Sequence, residues 1–197
     1  IILNPKETRK IKFDVIAPED VSPQTIIGKI MVESQGKKQE ILISIDIGSP
    51  KALFDVSVEL EKNKISVSDR TLTAIVTLLN FGETNRIDAK VEYIILDEEG
   101  KEVIKSTETI AVETQISILK RINLPQTTKS GIYVLSVRVS YGEEFATISS
   151  FFTIEKSNST TGYTLLVILV ILILAVAVIK TIKINRHGRR NRHRKLK

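Results

Sequence analysis

Apolar and polar residues alternate one for one along most of the chain. RKIKFDVIAP, KQEILISIDI, FDVSVELE, LTAIVTLLN, IDAKVEYIILD and YVLSVRVSY all follow this period of two and are rich in β-branched residues, the signature of strands with one face buried. No stretch before Tyr163 carries the 3.6-residue stripe of an amphipathic helix. Turn chemistry separates the runs: NPKE near Asn4, SQGK near Gly36, DEEGK near Gly100 and YGEE near Gly142. The pattern predicts an all-β protein built from short antiparallel strands packed as β-sandwiches.

A Gly and a Pro interrupt the alternation in GSPKA, and a linker is expected at 49–52. Beyond it, 53–156 is about the length of one complete sandwich, with strands expected near 54–60, 71–80, 87–96, 101–112, 114–123, 132–141 and 144–154. The segment before it resembles the end of that sandwich. IKFDVIAP, IIGKIMVES and KQEILISIDI follow one another as ISILKRINLP, IYVLSVRVS and EEFATISSFFTI do later, with a Gly turn before the last strand of each set. Residues 1–48 are therefore expected to be the last three strands of a partial module. Three strands cannot bury both faces of a sheet, so the other half is expected upstream. The chain starts at Ile1 without a charged-then-apolar leader, and an outward-facing start needs one. The sequence is accordingly expected to be the C-terminal part of a longer or processed product.

The pattern changes at Tyr163. Every residue from Leu165 to Ile179 is apolar, and 163–182 has the length needed to cross a hydrocarbon core of roughly 30 Å as a single transmembrane helix. A polar, small-residue stalk, 157–162, leads into it. A basic tail, 183–197, follows it. From Lys180 on, Lys180, Lys183, Arg186, Arg189, Arg190, Arg192, Arg194, Lys195 and Lys197 are nine of the 29 basic residues of the chain, with none of its 23 acidic ones. The first 179 residues hold the other 20 basic residues against all 23 acidic, a net charge of −3, so the overall +6 arises at one end. Short basic loops stay cytoplasmic, which places the tail inside the cell membrane and the long N-terminal region outside. The tail is expected against the anionic lipid of the inner leaflet. It has no aromatic residue to stack on bases, so nucleic acid is not the expected partner. His187 and His193 read as solvated tail residues.

NPKETRKIKFDVIAPEDVSPQTIIGKIMVES resembles the C-terminal half of the immunoglobulin-like NEW3-type and fibronectin-like modules of microbial surface proteins. LFDVSVELEKNKISVSDRTLTAIVTLLNFGE, continuing to SGIYVLSVRVSYGEEFATISSFFTIEK, is similar to the immunoglobulin-like domains of archaeal membrane-anchored surface proteins. The resemblance implies sandwich modules displayed outside a cell and specifies no activity. The first module lacks an aromatic where the second has Tyr133, and the chain has no cysteine, so the cysteine pair of antibody domains is missing from both.

Chemistry is sparse before Tyr163. That region has no His and no Cys, which removes the usual nucleophile–base pairs and most transition-metal ligand sets; no cofactor is expected. Asp97, Glu98 and Glu99 before Gly100, and Glu143 and Glu144 after Gly142, are oxygen ligands of the kind Ca2+ takes, but their placement fits solvated hairpin turns better. Tyr133 reads as a strand-start tyrosine whose ring packs in the core while its hydroxyl bonds backbone. Alternation sends Phe151 and Phe152 to opposite faces, making the outward one a candidate contact surface. Asn158 opens an Asn-Ser-Thr sequon in the stalk, a candidate glycosylation site. The expected function is non-enzymatic, a membrane-anchored surface scaffold or interaction protein whose partners are other envelope proteins. The alternative is the stalk and anchor of an extracellular peptidase or glycosidase whose catalytic domain lies upstream. A tail with no Tyr, Ser or Thr after Thr181 argues against phosphorylation signalling.

Overall fold

The computed structural model describes residues 7–16, 18, 21–50, 52–82, 86–156 and 171. The described part up to Lys156 forms one compact unit. It contains ten strands: β1 (Gln24–Ser34), β2 (Lys37–Ile47), β3 (Phe54–Leu60), β4 (Lys64–Ser66), β5 (Thr71–Asn80), β6 (Ile87–Leu96), β7 (Glu102–Val112), β8 (Gln115–Asn123), β9 (Gly131–Tyr141) and β10 (Glu144–Glu155).

Strands β3 to β10 make a sandwich. One sheet runs β4-β10-β9-β6-β7 and the other β3-β5-β8. All pairings in the two sheets are antiparallel except that of β4 with β10. The core lies between the sheets. Leu72, Ala74, Val76 and Leu78 of β5 face Val91, Tyr93 and Ile95 of β6, Leu135, Val137 and Val139 of β9 and Phe152 and Ile154 of β10. The two-residue periods seen in the sequence become these inward rows.

The seven predicted strands of 53–156 all occur, with bounds close to those expected. The short parallel strand β4 was not expected. Its residues KIS are too few to show a period, and a parallel partnership with β10 at Thr153↔Lys64 is decided by a segment far along the chain. The differences lie further upstream. Residues 7–16 contain no strand where alternation predicts one, and Ile11, Phe13 and Val15 stand exposed. Three strands were expected before Gly48; the described residues show two, paired as a separate sheet β1-β2. Gln35 and Gly36 both take positive φ at its two-residue turn, as a hairpin matching the right-handed twist of its strands requires.

That hairpin lies on the outer face of the five-stranded sheet. The Thr25 and Ser136 hydroxyls are 2.6 Å apart, and Ser149 Oγ donates to Asp46 Oδ2 at 2.9 Å. The Ser49 amide donates to the Phe145 carbonyl at 2.9 Å. Val134 and Ser136 point away from the core between β9's inward residues, yet both are buried. A free sheet would leave these residues in water, so their burial shows that the sandwich is covered on this side.

Candidate interaction surfaces

The outer face of β6 and β9 carries a charged cluster at the start of the hairpin. Glu92 alternates out of the core between Val91 and Tyr93, and its register partner on β9 is Arg138. Arg138 donates through Nε at 2.6 Å and through Nη2 to the same carboxylate oxygen of Glu92, and its Nη1 donates to the Pro23 carbonyl at 3.1 Å. Lys90 and Lys105 reach the other Glu92 oxygen at 3.2 and 3.0 Å. The Glu92 side chain is only 5% exposed. Burial alone would raise its pKa, but hydrogen bonds from Lys105, Arg138 and Lys90 outweigh it and hold the carboxyl at about 2. A carboxylate with three cations has no lone pair free for a ligand, so the arrangement ties the hairpin's first residues to the sandwich. Alternation shows Glu92 and Arg138 sharing an outward face; that the face is covered by residues 23–25 has no sequence signal.

A second polar group closes the open side of the sandwich between β7 and β8. Lys120 occupies an inward position in the row Ile116, Ile118, Lys120, Ile122. Its Nζ meets Glu108 Oε1 at 3.0 Å and lies 4.4 Å from the centre of the Tyr93 ring. Burial, then the Glu108 carboxylate, push the Tyr93 hydroxyl above its ordinary range. Glu108 moves the other way: burial opposes the shift, but Tyr93 and Lys120 together hold it below the ordinary range.

The two acidic turns end up at opposite ends of the five-stranded sheet, because β6 and β9 run antiparallel from Lys90↔Ser140 to Leu96↔Val134. Asp97 Oδ1 accepts the amides of Glu99 and Lys101, at 3.1 and 2.8 Å, and Gly100 takes the positive φ that closes the turn. Glu98 and Glu99 each approach Lys29 of the hairpin at 4.0 Å. Beside this turn is an open cleft of about 500 Å³, lined among others by Glu102, Thr128, Lys129 and Tyr133. Among the described residues no group of three His, Cys, Asp or Glu is placed to hold a metal ion.

Tyr133 behaves as its place in the sequence predicts. Its ring is buried and stacks on Phe152 at 5.7 Å between centres, while its hydroxyl donates to the Lys129 carbonyl at 3.0 Å. Burial, then the charges of Asp97, Glu98 and Glu99, raise its pKa against the lowering effect of that bond. Phe152 is core, which removes it as a contact residue; Phe151 lies on the outer face beside Val134, half-buried. Asn158 and the tail residues from Lys180 to Lys197 lie outside the described residues. So does the expected anchor 163–182 apart from Ile171, and among the described residues no helix is long and apolar enough to cross a membrane.

One surface was missed as a surface although its pattern is plain in the sequence. The hairpin face turned away from the sandwich presents Ile26, Ile30 and Val32 from β1 and Ile41, Ile43, Ile45 and Ile47 from β2, and none of these is buried. Counted back from the turn, the pairs Val32↔Gln39, Ile30↔Ile41, Gly28↔Ile43 and Ile26↔Ile45 stand where β9–β10 has Val139↔Ala146, Val137↔Ile148, Leu135↔Ser150 and Tyr133↔Phe152. In β9–β10 those pairs form the wall of the core.

No family model and no curated protein matches the chain. Among solved structures it is similar to part of a β-glucuronidase from glycoside hydrolase family 2, at 16% identity and a TM-score of 0.38 over 50% of this chain and 11% of that one. A family 123 glycoside hydrolase from Clostridium perfringens matches at 11% identity and a TM-score of 0.36, over 51% of this chain and 27% of that one. The CARDB domain of a Pyrococcus furiosus protein, in complex with di-metal ions, matches at 18% identity and a TM-score of 0.33, over 53% of this chain and 89% of that domain. The chain thus spans a small part of either glycosidase, and likenesses this weak carry nothing about its chemistry.

Proposed function

We propose that this chain is a non-enzymatic, membrane-anchored scaffold that displays an immunoglobulin-like sandwich outside the cell. The observation that carries the proposal is the order of segments: a sandwich whose last strand ends at Glu155, a short polar stretch, an uninterrupted apolar run from Leu165 to Ile179, then nine basic residues and no acidic one. Such a run with such a flank is what a single span with its C-terminus inside requires. The strand order β4-β10-β9-β6-β7 over β3-β5-β8 and the buried tyrosine at the start of β9 support the immunoglobulin-like reading.

Three carboxylates of the sandwich are engaged in holding it together. Asp97 closes its own turn, Glu92 is saturated by three cations, and Glu108 is paired with Lys120. A display module works in this way, through surfaces rather than through a poised acid or base. The test is protease treatment of intact cells: the sandwich is expected to be removed, leaving a small membrane-bound fragment that carries the tail. Cleavage of the sandwich only after lysis would reverse the orientation, and turnover of a peptide or glycan by residues 1–162 would refute the non-enzymatic reading.

A further inference from the structure

The turn between β6 and β7 and the loop between β8 and β9 form the two walls of the cleft of about 500 Å³, and the walls are unlike. The turn brings Glu98, Glu99 and Glu102, all exposed. Asp97 is occupied in closing the turn through the amides of Glu99 and Lys101. Glu98 and Glu99 share only Lys29, at 4.0 Å and beyond hydrogen-bond reach, and Glu102 pairs with no cation among the described residues. Lys101 and Lys129 are the two cations of the lining against four carboxylates, so the cleft is acidic. The loop brings Thr128. It is only 8% exposed, and its hydroxyl is buried without a hydrogen-bond partner among the described residues. Such a hydroxyl is costly to the fold unless a group from outside pairs it. The loop is meanwhile fixed at two points: Arg70, at a φ of 51°, donates through Nη1 to the Pro125 carbonyl at 2.7 Å, and the Tyr133 hydroxyl donates to the Lys129 carbonyl at 3.0 Å.

We propose that this cleft binds the guanidinium of an arginine side chain on a partner protein segment, with Glu98, Glu99 and Glu102 accepting from one wall and the Thr128 hydroxyl from the other. Three observations select that ligand. A divalent cation needs several oxygens converging on one point, and no group of three acidic side chains among the described residues is placed so. A guanidinium spreads five N–H donors over a plane and forks onto carboxylates, so it joins acceptors that stand on separate walls. The one ring of the lining, Tyr133, is buried and stacked on Phe152, which leaves no aromatic platform for a sugar or a base. Lys29 of the hairpin already brings a side-chain cation towards Glu98 and Glu99, the same chemistry supplied from within the molecule.

The full chain, 15N-labelled in uncharged detergent micelles, is to be titrated with the capped peptide Gly-Gly-Arg-Gly-Gly. Saturable shifts are expected at the amides of Glu99, Gly100 and Lys101 and of Thr128 to Gly131, with the strands β3 and β5 unmoved. The citrulline peptide, of the same shape without the charge, should bind at least about tenfold more weakly, and the lysine peptide, a point charge without the fork, about threefold more weakly. Glu102→Gln, an exposed change that leaves the fold alone, should weaken the arginine peptide about fivefold. Thr128→Val should weaken it about threefold while the thermal transition stays in place or rises, because an unpaired hydroxyl leaves a buried position. Shifts that never saturate, that centre on the hairpin, or that are equal for arginine and citrulline overturn the proposal. So does a Thr128→Val chain that binds as tightly as the parent or melts earlier, which would mean that the hydroxyl is already paired within the fold. Calcium chloride moving the same amides where the peptide does not would give a metal site instead and would also refute it. An arginine-bearing partner is the kind of surface contact on which the proposed display module rests, and none of these outcomes reads the orientation of the chain, so the membrane assignment stands or falls separately.

Discussion

Tyr133↔Phe152 in β9–β10 and Ile26↔Ile45 in β1–β2 hold the same place, the fourth pair of the apolar face counted back from a two-residue turn. Tyr133 and Phe152 are buried and stacked; Ile26 is 40% exposed and Ile45 half-buried. The local sequence is equally fit for burial in both hairpins. The difference is that β3-β5-β8 lies over one and no described strand lies over the other. Apolar alternation states which residues can share a buried face, and a second sheet decides whether burial occurs.

The largest expected effects come from breaking that contrast. Phe152→Ala removes a ring from a packed core and should cost about 3–5 kcal/mol in denaturant unfolding, whereas Ile45→Ala at the matching hairpin position should cost less than about 1.5 kcal/mol, since little cavity is left. Equal losses at the two positions would show that the hairpin face is already covered. Next in size, Glu92→Ala leaves Arg138, Lys90 and Lys105 without their acceptor on a covered surface. About 3 kcal/mol of destabilisation is expected, with detachment of the hairpin visible as faster amide exchange in β1.

The pH dependence sharpens the same point. The folded pKa of Glu92, about 2, lies below its unfolded value, so its contribution is fully present above the ordinary carboxylate range and is lost as pH falls through about 2. Stability measured from pH 6 down to pH 2 should fall less steeply in Glu92→Gln, which cannot titrate there; parallel curves would mean that Glu92 is not the group responsible. A smaller effect is expected from removing the hairpin altogether. Residues 52–156 should still unfold cooperatively, at lower stability because Val134 and Ser136 become exposed, while residues 1–48 alone should show no sharp transition. Thr25→Val, which loses one hydroxyl contact to Ser136 and one to Asp46, should cost about 1 kcal/mol.

Much of the sandwich was legible because its information is local. Period-two runs marked the strands of β3 and of β5 to β10, glycines marked the turns at Gly36, Gly100 and Gly142, and the position of Tyr133 just after Gly131 marked a buried ring with a backbone-bonded hydroxyl. Residues 7–16 carry the same alternation but no strand, because a strand needs a partner edge and none of the described sheets pairs with this segment. The cluster around Glu92 is only half legible: alternation marks Glu92 and Arg138 each as outward on its own strand, the β6–β9 pairing alone sets them side by side, and charged residues on an outward face ordinarily meet water.

By itself the sequence determined the strand set of the sandwich, the two faces of each strand, the turn positions and the charge asymmetry between the ends of the chain, since all of these depend on residues a few positions apart. Only the tertiary structure decided that β1–β2 rests on the outer face of the five-stranded sheet, that Glu92 is thereby buried among three cations, and that Phe152 rather than Phe151 belongs to the core. It also left a row of isoleucines from Ile26 to Ile47 facing outward. Every strand has two faces, and which of them is covered depends on segments about a hundred residues away, whose approach no local period encodes.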